Sequence, residues 1–137
     1  MTRISFDVLG TPVTQGSMKA FAVGRRAIVT HDKRPQLMDW RGAIASAAQD
    51  HANGQFAGKG VPVVIHAVFR LQRPKSAPKR VIYPTTKPDA DKLARSLFDA
   101  LKGRLYADDS QVVKHSIEKR YAAESEAPGV VVWVDWS

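Results

Sequence analysis

The chain has 137 residues, no cysteine and a net charge of +8, which suits one domain with its own core, is short for two, and excludes disulfides and Cys-ligated zinc or iron–sulfur centres. The opening MTRISFDVLG carries no signal-peptide core, and no apolar run approaches the about 18 residues of a membrane span, so no membrane association and a cytoplasmic location are expected. The positive charge calls for a polyanionic partner, with nucleic acid ahead of an anionic membrane surface.

In chain order, Arg3 to Leu9 alternates Ile4, Phe6 and Val8 with polar residues and predicts a strand, closed by Gly10-Thr11-Pro12. TPVTQGS reads as a loop. Met18–Val23 and Ala27–Thr30 predict two short strands joined by a Gly24-Arg25-Arg26 turn that carries two cations. After a polar break at 32–35, a helix is expected from Pro35 or Gln36 to about His51, because Leu37, Trp40, Ile44, Ala47 and Ala48 recur every three or four residues.

Pro62 to Leu71 is the strongest strand pattern, apolar enough to be central, with Val64, His66, Val68 and Arg70 on one face and Val63, Ile65, Ala67, Phe69 and Leu71 on the other. His66, a lone histidine in a strand, reads as a packed residue in preference to a ligand or base. Residues 72–88 form a long proline-rich loop with Arg73, Lys75, Lys79, Arg80 and Lys87 and no acid, which suits an arm that contacts phosphates.

A second helix is expected over Asp89–Lys102, with Leu93, Leu97 and Leu101 on its buried face, Asp89 at the N-cap and Gly103 at the stop. Gln111–Tyr121, with Val113, Ile117 and Tyr121 on one side, and Val130–Trp136 complete the strands. The order βββ-α-β-α-ββ predicts an α+β fold, a single domain over 1–137 with both helices on a mixed sheet.

The chemistry concentrates in KPDADKLARSLFDALKGRLYADDSQV, where Asp89 and Asp91 open the helix and Asp108 and Asp109 follow it. Two carboxylates that straddle a helix start can converge on one cation. Mg²⁺ takes oxygen ligands, and a two-metal phosphodiester site shares three or four acids. A helix of about 14 residues is about 21 Å long. The second acidic pair is therefore expected to return on the next strand, running antiparallel to the helix with its turn folded toward Asp89 and Asp91. Arg95 and Lys92 lie within a turn of these acids. They suit the scissile phosphate, or else form ordinary surface pairs with Asp99 and Asp89. Asp-x-Asp also marks nucleotide-sugar transferases and phosphatases, but there it follows a buried strand, whereas here it follows a basic loop.

The run Pro88, Asp89, Asp91, Leu93, then Asp99-Ala100-Leu101, Gly103, Asp108-Asp109, Gln111 and Val112 resembles the signature of RusA-type Holliday-junction resolvases, and Gly10-x-Pro12 is similar to that family's opening. The resemblance implies a Mg²⁺-dependent endonuclease of branched DNA, with Mn²⁺ as a possible substitute, acting as a homodimer on four-way junctions, in a family common in phages. By position in the motif, its three essential acids fall on Asp89, Asp91 and Asp109, and its catalytic lysine on Arg95. Arg73, Lys75, Lys79, Arg80, Lys87, Lys92 and Arg95 are the expected DNA contacts. Two positions depart from the family: Lys92 replaces an asparagine, and Arg95 keeps the charge but cannot give up a proton. Two other readings stay open: a less selective flap or fork nuclease, and a junction-binding protein that has lost cleavage through Lys92 and Arg95.

Overall fold

The computed structural model describes residues 1–15, 20–23, 26–29 and 34–137. Its elements are β1 (Thr2–Leu9), β2 (Ala20–Val23), β3 (Arg26–Val29), α1 (Arg34–Ala52), β4 (Val63–Leu71), α2 (Ala90–Leu101), β5 (Val112–Tyr121) and β6 (Gly129–Trp136), with a 3₁₀ turn at Asp109–Gln111 before β5. This is the expected α+β order. Met18, Lys19, Gly24, Arg25, Thr30 and the break at 32–33 lie outside the described residues, while β2 and β3 pair as an antiparallel ribbon of their own.

The main sheet has the order β1-β6-β4-β5. β6 is antiparallel to both β1 and β4, whereas β4 and β5 are parallel and joined through α2. A parallel pair needs such a crossover, and the crossover helix runs back along the strands it joins. β4 is interior, as its apolar run requires.

The strand alternation sorts the faces. Ile4, Phe6 and Val8, then Val63, Ile65, Ala67 and Phe69, then Val130, Val132 and Val134 are buried, and they form one core with Trp40, Ile44 and Ala48 of α1 and Leu93, Leu97 and Leu101 of α2. Both helices therefore cover the same face. β5 departs from its simple alternation: Val112 pairs with Val63 and Lys114 with Val64, so Val113 is an extra residue at an irregularity. It is 66% exposed, not packed with Ile117 as the spacing predicts.

On the opposite face, Arg70 is buried, with its Nη2 2.7 Å from Asp7 Oδ1 and its Nε donating to the Ala127 carbonyl. The guanidinium passes beside Gly129, where a Cβ would lie 2.6 Å from Nη2 and would collide with the Val8 carbonyl oxygen. His66 lies on this face too, paired in register with Trp133 and Ser116 and remote from the acidic residues of α2. Among the described residues no helix is long and apolar enough to cross a membrane.

Candidate active site

α2 carries the first acidic pair because its start is held from two sides. The loop after β1 is tied to it by Gln15 N–H donating to the Lys92 carbonyl (3.1 Å) and by Ser96 Oγ–H donating to the Val13 carbonyl (2.9 Å). Lys119, near the far end of β5, donates from Nζ to the carbonyls of Thr86 and Pro88 at 2.6 and 2.9 Å. The peptide between Lys87 and Pro88 is cis.

Asp89 takes the N-cap position, with its carbonyl accepting from Leu93 N–H, but its carboxylate makes no capping bond. A capping side chain is normally worth about 1 kcal/mol to a helix, a contribution this carboxylate does not make. Its neighbour is Lys92, 3.6 Å away, with both side chains nearly half exposed. Asp91, in the first turn, is exposed and makes no ion pair among the described residues, where the helix dipole favours its charge. Arg95, also exposed, pairs with neither Asp91 nor Asp99 there, so the ordinary surface pair is not formed.

The second pair is built differently. Asp108 caps the 3₁₀ turn: its Oδ2 accepts from Ser110 N–H and Ser110 Oγ–H, and Lys102 lies 3.3 Å from Oδ1. The two bonds from Ser110, with Lys102 behind them, hold its carboxyl down to about 2. Asp109 is half-buried beside Tyr106, whose hydroxyl lies 3.2 Å from Asp109 Oδ1 and from the Phe98 carbonyl. Burial pushes the Asp109 carboxyl up, and nearby Asp99 adds to that against the Tyr106 hydrogen bond. Burial, with the Asp109 charge, also raises the Tyr106 phenol.

Gln111 fastens this turn to the body. Its Oε1 accepts from Ala107 and Asp108 N–H, both at 2.9 Å, and its Nε2 donates to the carbonyls of Gly58 (2.9 Å) and Val61 (3.1 Å). The motif marks Gln111; nothing in the spacing marks Tyr106, Ser96 or Lys119.

The two acidic pairs do not meet within one chain. β5 does run antiparallel to α2, but a strand that returns along a helix begins at that helix's C-terminal end. Asp109 therefore sits beside Asp99 and Lys102, while Asp89 and Asp91 sit one helix length away. The 12 residues of α2 span about 18 Å. Lys119, which reaches Pro88, lies 7 residues beyond Val112, about 23 Å along β5. The acidic turn thus folds away from Asp89 and Asp91, and among the described residues no three acidic or histidine side chains converge to hold a cation.

The basic loop 72–88 contains no helix or strand, but backbone bonds from Ala77 to Pro74, Val81 to Pro78 and Tyr121 to Ile82 fold it against the body. Arg73 is engaged inside it: Nη1 donates to the Pro78 carbonyl at 2.7 Å, and the guanidinium lies 4.9 Å from the Tyr121 ring centroid. Lys75, Lys79, Arg80 and Lys87 are exposed and make no ion pair among the described residues.

The structure is thus an α+β domain in which a basic loop leads into two carboxylates at the start of a helix. Residues 10–135 match the family model described as Endodeoxyribonuclease RusA, and the chain belongs to that family of Holliday-junction endodeoxyribonucleases. It is also similar to YqaN of Bacillus subtilis (strain 168), itself described as uncharacterized: the two are 31% identical, over 98% of this chain and 96% of that protein.

Proposed function

We propose that the chain is a Mg²⁺-dependent resolvase that cuts four-way junctions in pairs, as a homodimer, with Asp89, Asp91 and Asp109 as the metal-holding acids. The observation that carries this reading is the N-cap carboxylate of Asp89, which makes no capping bond, beside Asp91, which makes no ion pair among the described residues. Two carboxylates with waters and substrate phosphate are a sufficient Mg²⁺ set, so the residues fit a hard cation. Such an ion would supply Lewis-acid polarisation of the scissile phosphodiester and favour deprotonation of the attacking water.

Asp109 joins this set only from a second copy. A two-fold axis across the middle of α2 sets the start of one helix beside the end of the other, so Asp89 and Asp91 would face Asp109 of the partner subunit, twice per dimer. The same axis provides the two incisions that a nearly two-fold junction needs. Arg95, exposed on α2 and without an ion-pair partner among the described residues, suits the phosphate oxygens, where charge grows as the bond breaks. Its guanidinium stays protonated and acts by charge alone. Lys75, Lys79, Arg80 and Lys87 contact flanking phosphates, and each neutralised phosphate adds about −0.9 to the slope of log affinity against log salt.

The test is incubation of a synthetic four-way junction with and without Mg²⁺, beside linear duplex of the same sequence. Paired nicks confined to the junction and dependent on the metal are expected. Equal cutting of the duplex, or cutting that survives Asp91→Asn, overturns the reading.

A second reading rests on the Lys92–Asp89 pair. An ammonium at 3.6 Å competes with a metal for the Asp89 carboxylate, which favours a protein that binds junctions without cutting them. That version expects salt-sensitive binding with no nicks at any Mg²⁺ or Mn²⁺ concentration, and nicks once Lys92→Asn and Arg95→Lys are combined.

A further inference from the structure

β5 lies at the edge of the main sheet, and its outer side has no strand partner among the described residues. Which of its groups point outward follows from two bonds at its far end. Ala122 N–H donates inward to the Leu71 carbonyl of β4 (2.8 Å), whereas Tyr121 N–H donates outward to the Ile82 carbonyl (2.8 Å). The register with β4 is unbroken from Lys114 to Tyr121, so alternation turns the backbone N–H and C=O of His115, Ile117 and Lys119 outward. No backbone group among the described residues meets them. A free edge of this kind is a template for another strand.

The charges along that edge are complementary to themselves. Lys114, Ser116 and Glu118 are exposed, and neither Lys114 nor Glu118 makes an ion pair among the described residues. When two copies of β5 lie antiparallel about a two-fold axis at Ser116, Lys114 stands opposite the partner's Glu118 and Glu118 opposite the partner's Lys114. His115 then exchanges both backbone bonds with the partner's Ile117. An axis at Ile117 sets Lys114 against the partner's Arg120 instead, and an axis at Glu118 sets that carboxylate against its own copy. Opposite charges directly across a strand pair stabilise it, and like charges destabilise it. The other edge strand, β1, offers no such match, because its Arg3 and Asp7 are already paired with Asp135 and Arg70.

The seam also carries the acidic turn to the right place. The His115 ring meets the Phe98 ring of α2 edge-on, 5.3 Å between centroids, so Ser116, the next residue, stands level with the middle of α2. Val113 of one copy comes opposite the partner's Lys119, and Lys119 holds the Thr86 and Pro88 carbonyls just before Asp89. Asp109, in the turn that leads into β5, thus enters beside the first acids of the other copy. We propose that two copies of the chain join edge to edge through β5, about Ser116, so that two four-stranded sheets become one. The proposal rests on the resolvase reading only for the use made of Asp109.

The chain has no cysteine, which lets cross-linking find the axis. Ser116 would face its own copy in a non-hydrogen-bonded pair, with Cα atoms about 4.5 Å apart, within the about 4.4–6.8 Å that a disulfide spans. The proteins are the wild type, Ser116→Cys, Lys114→Cys as a control off the axis, Lys114→Glu and Glu118→Lys. Association is measured by sedimentation in EDTA without DNA, and cross-linking by electrophoresis after mild oxidation. Cutting of a synthetic four-way junction is measured separately with Mg²⁺.

The wild type is expected to be a dimer, and Ser116→Cys is expected to cross-link while Lys114→Cys does not. Each charge reversal sets two like-charged pairs in the seam and should weaken the dimer about tenfold. An equimolar mixture of the two reversals should recover it, because the mixed dimer has opposite charges at both pairs. A monomeric wild type, a Ser116→Cys protein that stays unlinked, or reversals that leave the dimer unchanged overturn the proposal. A dimer that cross-links at 116 while the wild type cuts no junction sinks the nuclease reading and sustains the seam. Paired cutting by a protein that does not cross-link at 116 does the reverse.

Discussion

Lys119 Nζ lies 2.9 Å from the carbonyl oxygen of Pro88, so the last turns of β5 fix the residue that precedes the first free acid. The bond links the sheet to the entry of α2 without touching substrate, which makes Lys119 a positioning residue. Lys119→Met should keep the fold and the melting temperature, since the side chain is only half-buried, yet lower single-turnover cutting about tenfold by letting Asp89 drift. Lys119→Arg should restore part of the loss. A variant that cuts at the wild-type rate would show that the 86–88 segment is held by other contacts.

The distance between the acidic pairs gives a second prediction, by mixing. Asp89→Asn and Asp109→Asn should each be inactive alone. In a mixed dimer, one site collects both substitutions and the other collects none, so equimolar mixtures should recover cutting as single nicks. If each subunit held all three acids of its own site, no mixture would cut at all.

Much of this arrangement can be read from residue order, and the part that cannot has a physical reason. The three- and four-residue spacing of Leu93, Leu97 and Leu101 fixes the buried face of α2, and the alternation from Val63 to Leu71 fixes the faces of β4, because both depend on local geometry alone. Asp89, Asp91, Asp109 and Gln111 carry a motif. That Asp109 stays at the C-terminal end of α2 follows from β5 returning along the helix, whereas the expectation that its turn folds toward Asp89 and Asp91 fails because the length of α2 separates them. Val113 fails because a one-residue irregularity in pairing has no signature in its own alternation. Nor does the buried Arg70 announce itself, because its partners Asp7 and Ala127 are far away in sequence.

Gln111 should prove structural in a way that also silences the site. Gln111→Ala leaves the Ala107 and Asp108 N–H groups and the carbonyls of Gly58 and Val61 without their partner. Unmet buried groups of this kind cost about 1–3 kcal/mol each where water cannot replace the bond. A loss of about 3 kcal/mol in chemical denaturation is expected. Unchanged stability would mean that solvent reaches the 57–61 loop freely.

Gly129 is expected to tolerate nothing larger. In Gly129→Ala the new Cβ would meet the Val8 carbonyl oxygen and Arg70 Nη2, one of them backbone and the other locked to Asp7. Overpacking of this sort costs about 1–3 kcal/mol, which for a domain of this size lowers the melting temperature by about 3–10 °C. Calorimetry of the single variant decides it, and an unshifted transition would show that β1 and β6 can part slightly without loss.

The acid limb of stability should pass partly through Glu126. Arg120 donates to both its oxygens at 2.7 and 2.9 Å, and Ala123 N–H donates at 3.0 Å. The Arg120 bonds, then the backbone bond, hold the carboxyl down to about 2 from its ordinary 4.5. Because the folded value is the lower one, the contribution is complete above about pH 4.5 and fades as pH falls toward 2. Solvent at this partly exposed pair keeps the effect modest. In Glu126→Gln, the melting temperature should be lower at pH 7 and should change less steeply between pH 4.5 and 2; parallel curves for the two proteins would rule the pair out as a contributor.

The order β1-β6-β4-β5 also sets when the molecule can exist at all. β6 is synthesised after β1 and β4, yet it lies between them, pairing Trp136 with both Thr2 and Val63. Until it arrives, β1 has no partner in the main sheet and one edge of β4 stays open. Contacts this distant in sequence form slowly and leave a chain prone to association while they are missing. A copy truncated before Gly129 would therefore keep Asp89, Asp91 and Asp109 but have no finished sheet to hold them in place.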